Sequence, residues 1–399
     1  MPRILASIGT LRRAFAPALS AGGLAYLAGL LVGVVPICSA AQSNETSALA
    51  FSNDPTPLEM HQEIERPSRF LDLSAAKDRL DAQVSRMGGY PAWTASLSSW
   101  REEAGQLISL EDQIAIVGLD KHLFTRGGVE YVLDDSLVYM PTAERAFDVI
   151  CAFHKLLQSR GVDLILVPVP SREEVYPDKL SAACPSHLMV SPQSTQFLQA
   201  LLDVDVEVVD LREAFLDERE KHDELLYPIA EIHWGTYGIR RAAAEIAPRL
   251  QRYTSTSSEK RVVYLEKLTR ITREGALVPY LPAEAKAEYP AAEWDVIQVL
   301  NPDESQYQDT EQSPVVVVGD SFTMRYINQA GHLSAHIAKE LGFPVSTLSK
   351  KGDGPQSLRM LTVKDPKNLA SRRVAVWVIS SICLGDRYAD QWHMPRPLP

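Results

Sequence analysis

The stretch PVVVVGDSFTMRY, residues 314–326, determines how the rest of the sequence is interpreted. The four valines after Pro314 are β-branched and apolar, and they predict a strand that is buried on both faces. The strand ends in Gly-Asp-Ser-Phe, and the pattern after it predicts an amphipathic helix over residues 322–341. Ser321 at this junction has two interpretations: a nucleophile held at the end of a strand, or a residue that only caps the helix.

Strands and helices alternate on either side of this junction. Continuous apolar runs predict further strands at residues 162–170, 206–211, 345–348 and 374–380. Apolar residues at helical spacing lie between the strands, at residues 142–158 and 237–251, whereas residues 252–313 are polar and interrupted by proline. The alternation predicts an α/β fold with a mainly parallel sheet that is covered on both faces.

The N-terminus differs from the rest of the chain. Arg3, Arg12 and Arg13 precede an uncharged, mostly apolar run over residues 14–41, which ends in small residues. A basic start, an apolar stretch and a small-residue end are typical of an export signal. The run also approaches the ~20 residues that span a bilayer, so a retained anchor in the inner membrane stays open. In either form, we expect the chain after this segment to lie in the periplasm.

These patterns predict three segments along the chain. Residues 1–41 are expected to form a signal peptide or an N-terminal membrane anchor. Residues 42–104 are expected to form a polar, proline-containing linker followed by an N-terminal helical segment. Residues 105–399 are expected to form the domain that carries the chemistry, and this length is sufficient for one large core.

Composition excludes several classes of function. The chain carries 40 Lys+Arg against 51 Asp+Glu, and its net charge of −11 becomes −14 without residues 1–41, which hold three arginines and no acidic residue. An acidic body without a basic run argues against nucleic acid as a partner. Cys151, Cys184 and Cys383 follow the N-terminal segment, but no spacing of cysteine or histidine predicts a metal site. We therefore expect no metal and no cofactor.

A nucleophilic serine needs a base, and the base needs a carboxylate that orients it. His233, in the stretch YPIAEIHWGTYGIRR at residues 227–241, directly precedes a predicted helix start. Glu231 lies two residues earlier in an extended segment, so both side chains point to the same side and the carboxylate can reach Nδ1 of His233. His332 and His336 lie four residues apart on the predicted helix after the serine, a spacing more typical of an exposed surface.

Together, EIHWGTYG at residues 231–238 and GDSF at residues 319–322 resemble the SGNH-hydrolase-like domain of the bacterial alginate O-acetyltransferase family, the AlgJ and AlgX type. In that family an Asp-x-His-Trp motif precedes Gly-Asp-Ser-Phe along the chain. IVGLDKHLFTRGG at residues 116–128 resembles the segment that opens the family's domain. LILVPVPSREEVYPDKL at residues 164–180 resembles its Val-Pro-x-Pro strand end. The resemblance extends over roughly residues 105–390.

The resemblance implies a three-layer SGNH-hydrolase-like fold and a Ser-His-Glu triad. Ser321 corresponds to the nucleophile, His233 to the base and Glu231 to the carboxylate that orients the base. The chain departs from the family at two positions, since Glu231 replaces the usual aspartate and His122 replaces a tryptophan. A glutamate keeps the charge but adds one methylene group, which moves the carboxylate relative to the histidine.

Three residues near the triad are predicted to bind substrate. Arg325 lies one turn after the serine, where it can face the cleft. Arg172 follows the strand at residues 162–170, at the strand end where parallel sheets bind ligands, and Trp234 adjoins the histidine. The glycine-rich loop at residues 349–355 offers backbone N–H groups for an oxyanion hole. The alternative for each charged residue is a solvated loop position.

The resemblance further implies an exported O-acetyltransferase of a bacterial exopolysaccharide, alginate-like or another polymer, that works through an acetyl-serine intermediate. It implies two partners: a polysaccharide acceptor, and a multipass membrane O-acyltransferase that supplies the acetyl group. Two alternatives stay open. One is a polysaccharide O-acetyl esterase with the same triad, and the other is a non-catalytic protein of exopolysaccharide assembly or glycan binding.

Overall fold

The valine strand lies within a five-stranded sheet. A computed structural model of the protein describes residues 73–109, 113–134, 141–184, 189–253, 261–363 and 369–395. Its strands are β1 (Ala115–Val117), β2 (Leu123–Thr125), β3 (Asp163–Val169), β4 (Glu207–Val208), β5 (Leu265–Arg273), β6 (Ala292–Leu300), β7 (Val315–Gly319), β8 (Ser346–Ser349) and β9 (Val374–Ser380). The large sheet has the order β4-β3-β9-β7-β8, and each of its pairings is parallel. The predicted parallel sheet is confirmed.

Helices connect these strands and pack on them. They are α1 (Ser74–Arg86), α2 (Tyr90–Ser96), α3 (Ser98–Ser109), α4 (Arg126–Leu133), α5 (Pro141–Gln158), α6 (Arg172–Val175), α7 (Pro177–Leu180), α8 (Pro192–Leu202), α9 (Arg212–Lys221), α10 (Thr236–Leu250), α11 (Ala283–Lys286), α12 (Ser321–Met324), α13 (Leu333–Leu341) and α14 (Ser357–Val363). Helix α5 packs on β3, α14 packs on β7 and β8, and α10 packs against α13.

Short 3-10 turns complete the described elements. They lie at Leu119–Lys121, Gln251–Tyr253, Val278–Tyr280, Ile327–Gln329, Gly354–Gln356, Leu369–Ser371, Ser381–Leu384 and Asp386–Gln391. Two of them directly follow a regular element, Gln251–Tyr253 after α10 and Ser381–Leu384 after β9. These two mark places where the chain leaves a regular element and turns.

The sheet is buried on both faces. Every residue of β7 and β9 is buried, and so is every residue of β3 after its first. Because successive side chains of a strand point to opposite faces, both faces must be covered by other elements. Aromatic side chains contribute to this cover, since Trp377 of β9 packs edge-on against Phe153 and Trp392 with ring centroids 5.9 and 5.8 Å apart.

The register of the sheet brings the carboxyl ends of its strands to one edge. Gly319 at the end of β7 pairs with Ser349 at the end of β8, and Val169 at the end of β3 pairs with Ser380 at the end of β9. Segments that follow these strands therefore meet at the same edge, which is where parallel α/β sheets bind ligands. Ser321 follows β7 by two residues and lies there.

Residues 252–313, whose polar, proline-interrupted sequence predicts no regular element, contain an antiparallel hairpin of β5 and β6. Nine residue pairs join the two strands, from Leu265 opposite Leu300 to Arg273 opposite Ala292. Strand β6 is largely buried toward its end, but β5 is exposed along most of its length. An edge strand with few buried residues carries charged side chains between its apolar ones, which conceals it in the sequence.

The helix predicted over residues 322–341 is broken into two. Tyr326 and Ala330 adopt left-handed backbone conformations, with φ of 60° and 52°, and an α-helix cannot continue through such residues. One turn of helix, α12, precedes the break and nine residues, α13, follow it. His332 and His336 are buried, so the prediction of an exposed histidine face is wrong.

The helices α1 to α3 pack on the same hydrophobic core as the sheet, through side chains such as Trp93 and Trp100. The predicted boundary between residues 104 and 105 falls within α3. Within the described ranges, none of the helices has both the length and the apolar character that a membrane crossing requires. The predicted signal or anchor at residues 1–41 and the linker at residues 42–70 lie outside the described residues.

Candidate active site

The structure brings Ser321, His233 and Glu231 together in one hydrogen-bonded chain. Nε2 of His233 lies 2.9 Å from Oγ of Ser321, and Nδ1 of His233 lies 2.8 Å from Oε1 of Glu231. Ser321 is 88 residues from the histidine in the sequence, so only the fold makes this contact. The histidine is partly exposed and the glutamate is fully buried. This order of groups is the one by which a carboxylate orients a base beside a nucleophile.

The turn after β7 decides between the two interpretations of the serine. Asp320, not Ser321, is the N-cap of α12, and its carboxylate accepts a hydrogen bond of 2.9 Å from the N–H of Phe322. Because the capping role belongs to its neighbour, the hydroxyl of Ser321 is available to His233. Gly319 is required at the start of the turn, since a Cβ there would lie 2.5 Å from Cγ2 of Thr323.

Glu231 determines which ring nitrogen of His233 carries the proton when the ring acts as a base. Burial alone would raise the pKa of Glu231, but the hydrogen bond from His233 and the charge of Arg325 outweigh burial and hold the pKa at about 2. An ionised carboxylate only accepts hydrogen bonds, so Nδ1 of His233 donates and the base form of the ring carries its proton there. Nε2 is then an acceptor and faces the hydroxyl of Ser321. The arrangement allows the serine proton to pass to the histidine.

Arg325 does not lie in the cleft as the sequence predicted. Its side chain is 5% exposed, and Nη2 donates a hydrogen bond of 3.0 Å to Oε2 of Glu231, the oxygen that does not face the histidine. The guanidinium also lies over the rings of Trp294 and Tyr326, at 5.3 and 4.7 Å from their centroids. The sequence prediction failed because a buried carboxylate requires a buried cation, and residue spacing does not show which arginine supplies it.

Arg172 is also buried, and it holds the backbone of the same loop. Nη1 donates to the carbonyl oxygens of Pro228 and Glu231, the second at 3.1 Å. Nη2 lies 2.9 Å from Nδ1 of His122, which must accept because an arginine only donates. Burial and the charge of Arg172 lower the pKa of His122 to about 4, so this imidazole is neutral. Arg172 therefore holds the loop that carries Glu231, and its contact with substrate stays a prediction.

Trp234 is fully buried and links the two loops that carry the triad. Its Nε1–H donates a hydrogen bond of 2.9 Å to the carbonyl oxygen of Phe322, the residue after the serine. Its ring packs edge-on against the Phe322 ring at 5.7 Å. A side chain without exposed surface cannot contact a polysaccharide, so the predicted substrate contact is replaced by a structural link between His233 and Ser321.

The glycine-rich loop after β8 lies at the same edge of the sheet as the serine. The N–H of Lys350 donates to the carbonyl of Gly319, and a Cβ at Gly354 would lie 3.7 Å from the carboxylate of Asp320. The loop therefore borders the turn that carries the serine. No group of three or more His, Cys, Asp and Glu side chains in the described parts of the chain is arranged to hold a metal ion.

Comparison with known families agrees with this geometry. Residues 115–380, about two thirds of the chain, match the family described as "SGNH hydrolase-like domain, acetyltransferase AlgX". The chain belongs to this family. The sequence-based recognition of the AlgJ and AlgX type and of the SGNH-hydrolase-like α/β fold is confirmed, and the chain carries an acetyltransferase-family domain. A comparison with curated protein sequences gives no significant match.

Two solved structures of this fold are similar to the protein. The O-acetyltransferase domain of Pseudomonas putida AlgJ shares 19% identity at a TM-score of 0.54, over 70% of this chain and 98% of that domain. Pseudomonas aeruginosa AlgX shares 17% identity at a TM-score of 0.51, over 67% of this chain. This chain matches 62% of the AlgX structure. At these identities the likeness shows a common fold.

Sequence reasoning found the three residues of the hydrogen-bonded chain but missed the groups that hold them. Trp294 of β6 and the buried role of Arg325 depend on the hairpin of β5 and β6 reaching the serine turn. The alternation of apolar residues in EWDVIQVL, residues 293–300, is a signal by which β6 was detectable. Nothing in the local sequence indicates that Trp294 lies against Arg325.

Proposed function

We propose that the protein O-acetylates a bacterial exopolysaccharide through an acetyl-serine intermediate on Ser321. One observation carries the proposal: His233 makes a hydrogen bond to Ser321 with Nε2 and another to Glu231 with Nδ1, at 2.9 and 2.8 Å. The acetyltransferase family of residues 115–380 gives the reaction class. In this proposal Ser321 is the nucleophile, His233 the general base and acid, and Glu231 the carboxylate that orients the imidazole.

The reaction divides into two transfers of one acetyl group. In the first, Oγ of Ser321 attacks the carbonyl carbon of an acetyl ester while its proton moves to Nε2 of His233. The C–O bond to the donor alcohol breaks, and the donor oxygen takes that proton. In the second, a sugar hydroxyl gives its proton to His233 and attacks the acetyl-serine, which releases an acetylated sugar and restores the serine. Glu231 stabilises the imidazolium that forms in both transfers.

The partners and the location are part of the proposal. The acceptor is a polysaccharide, and the donor is a multipass membrane O-acyltransferase that presents acetyl groups on the outer side of the inner membrane. The pattern at residues 1–41 supports export to the periplasm, with the segment either cleaved or retained as an anchor. Membership of the AlgX family supports an alginate-like acceptor among the bacterial exopolysaccharides.

The test is transfer of acetyl from a small activated ester to an oligosaccharide. The purified protein is mixed with p-nitrophenyl acetate and either alginate oligosaccharides or neutral cello-oligosaccharides, and products are followed by mass spectrometry. The proposal predicts an acetylated oligosaccharide that the Ser321→Ala variant does not form. Release of free acetate alone, in the presence of either acceptor, would instead support the esterase. No reaction with Ser321 at all would support a non-catalytic role.

A further inference from the structure

Arg325 contacts the carboxylate oxygen of Glu231 that does not face His233, and it is placed to orient this carboxylate. The family's usual aspartate is replaced here by glutamate, whose additional methylene group gives the carboxylate one more rotatable bond. A free glutamate side chain loses rotamer entropy when it is fixed. One hydrogen bond to His233 leaves the other carboxylate oxygen to be fixed by something else.

Arg325 supplies that second contact. Nη2 donates a hydrogen bond of 3.0 Å to Oε2 of Glu231, while Oε1 faces Nδ1 of His233 at 2.8 Å. Oε1 also accepts from the backbone N–H groups of Ile232 and His233, at 3.1 and 3.3 Å. The carboxylate is therefore held from both sides, and its rotation about the last side-chain bond is blocked.

The arginine is itself held by its neighbours. Its guanidinium lies over the rings of Trp294 and Tyr326, and such cation–π contacts favour one orientation of the planar group. Tyr326 has a left-handed backbone with φ of 60°, a conformation that is strained for a non-glycine residue. Tyr326 directly follows Arg325, the C-cap of α12, and its ring lies against the Arg325 guanidinium. Strained backbone conformations cluster at functional sites, and Tyr326 adjoins Arg325, which is the partner of Glu231.

We propose that Arg325 is a positioning residue that makes a glutamate effective at position 231 by fixing Oε2, so that Oε1 faces His233. The inference rests on the proposed acyl-transfer function of the triad, but it makes a separate structural claim about the Glu231–His233 contact. Arg325 touches neither substrate nor the reacting atoms, since its side chain is 5% exposed and reaches the triad only through the glutamate. Its effect must therefore disappear when the glutamate is removed.

The experiment uses the purified full chain and measures the rate of Ser321 acylation by p-nitrophenyl acetate as a function of pH. Arg325→Met should slow acylation by about 10–100-fold, the effect of misplacing a catalytic group by ~1 Å. The acidic limb of the rate profile should move to higher pH, because loss of the guanidinium lets Glu231 bind a proton more readily. Arg325→Lys, which keeps the charge, should restore part of the rate and hold the limb near its parent position.

Two comparisons separate positioning from general stability. In a Glu231→Ala background, Arg325→Met should change the rate by no more than about twofold, because effects of residues that act as a unit are not additive. Arg212→Met is the matched control: Arg212 is a buried arginine that pairs with Asp210 at 2.9 Å. This variant should lower stability without moving the acidic limb.

A spectroscopic readout makes the test independent of turnover. The Nδ1 proton of His233, hydrogen-bonded to an ionised carboxylate, should give a downfield proton resonance in the parent that is lost or shifted in Arg325→Met. An unchanged resonance, or an equal rate loss in the Glu231→Ala background, would overturn the inference. If the parent shows no acylation of Ser321 while the resonance still depends on Arg325, the proposed function fails and the positioning role stands.

Discussion

Ser321 and Glu231 lie in segments that are held by different interactions. The serine follows a buried parallel strand and begins a one-turn helix, so backbone hydrogen bonds and the Asp320 cap fix it. The glutamate lies in a segment without regular structure, and its position depends on the side chains of Arg172 and Arg325. The first segment is held mainly by backbone hydrogen bonds, and the second by buried arginine side chains 59 and 94 positions away in the sequence.

The two segments should therefore respond to different kinds of substitution. Backbone geometry determines the position of Ser321, so steric changes in the turn after β7 should displace its hydroxyl. Buried charges determine the position of the Glu231 carboxylate. Substitutions that change its charge or the length of its side chain should therefore displace it more than substitutions that change only volume. Trp234 joins the two, because its backbone follows His233 and its indole N–H reaches Phe322 beside the serine. Variants of the serine turn and of the Glu231 segment test this difference.

The largest effect is expected from Glu231→Gln, on the charged side. The amide keeps the shape but presents an NH₂ group to the ring and favours the wrong tautomer, and an equivalent Asp→Asn change in a serine protease costs ~10⁴-fold. We expect a loss of that order in the rate of Ser321 acylation, measured by release of p-nitrophenolate. Glu231→Asp keeps the charge, but its shorter side chain cannot reach both His233 and Arg325, so a loss of about 10–100-fold is expected.

A parent-like rate in both Glu231 variants would contradict the contrast, because the carboxylate would then have no orienting role. A dyad of Ser321 and His233 would replace the triad in that case. Thermal unfolding of the two variants provides the control, since a folded protein is needed for the comparison.

On the steric side, Gly319→Ala should have the next largest effect. The added Cβ would lie 2.5 Å from Cγ2 of Thr323 and 2.8 Å from the carbonyl oxygen of Val378, and a backbone atom of a central strand cannot move easily. Overpacking of this kind costs typically ~1–3 kcal/mol, and a serine displaced by ~1 Å should react about 100-fold more slowly. Denaturant unfolding and the acylation rate measure the two effects.

Gly105→Ala is the matched control for this change. Gly105 lies in α3, and a Cβ there would have its nearest neighbour at 4.0 Å, in Leu133. This variant should gain up to about 1 kcal/mol from helix propensity without affecting acylation. An active Gly319→Ala variant of unchanged stability would show that the turn after β7 has more room than the structure gives it.

The smallest effect is expected at His122, which supports the charged side through Arg172. Its pKa is about 4 because of burial and the nearby arginine, against an ordinary value of 6.5. As pH falls from about 6.5 toward 4, the unfolded chain binds a proton that the folded chain does not, so this residue makes stability fall over that range. His122→Phe removes the hydrogen bond to Arg172 and should lower the free energy of unfolding by about 1.5–3 kcal/mol at pH 7. In this variant the free energy of unfolding should decrease less than in the parent as the pH falls toward 4.

Melting temperatures of the parent and His122→Phe at several values between pH 7 and 4 check this prediction. The two curves should approach each other as the pH falls. Curves that stay parallel over the range would contradict the neutral, buried state of His122. Acylation should change by less than tenfold at pH 7, because the contact acts on the loop backbone and not on the carboxylate.

The sequence was sufficient for features that depend on local pattern. The apolar run before GDSF predicts the buried strand, and two residues of spacing place Glu231 beside His233. The roles of Arg325, Arg172 and Trp234 were not predictable in this way, because burial and hydrogen-bond partners are set by long-range packing. The break at Tyr326 was missed because the apolar spacing of a helix continues through it, although its backbone is left-handed.

The central claim is that Ser321 is a nucleophile activated by His233 and Glu231. The most direct measurement is peptide mass spectrometry of the protein quenched after brief reaction with p-nitrophenyl acetate, for the parent and for Ser321→Ala. The account predicts one acetyl group on the peptide that contains GDSF in the parent and none on the corresponding peptide of the alanine variant, which should fold normally. Equal acetylation of that peptide in both proteins, or acetylation of the parent only elsewhere in the chain, would contradict it.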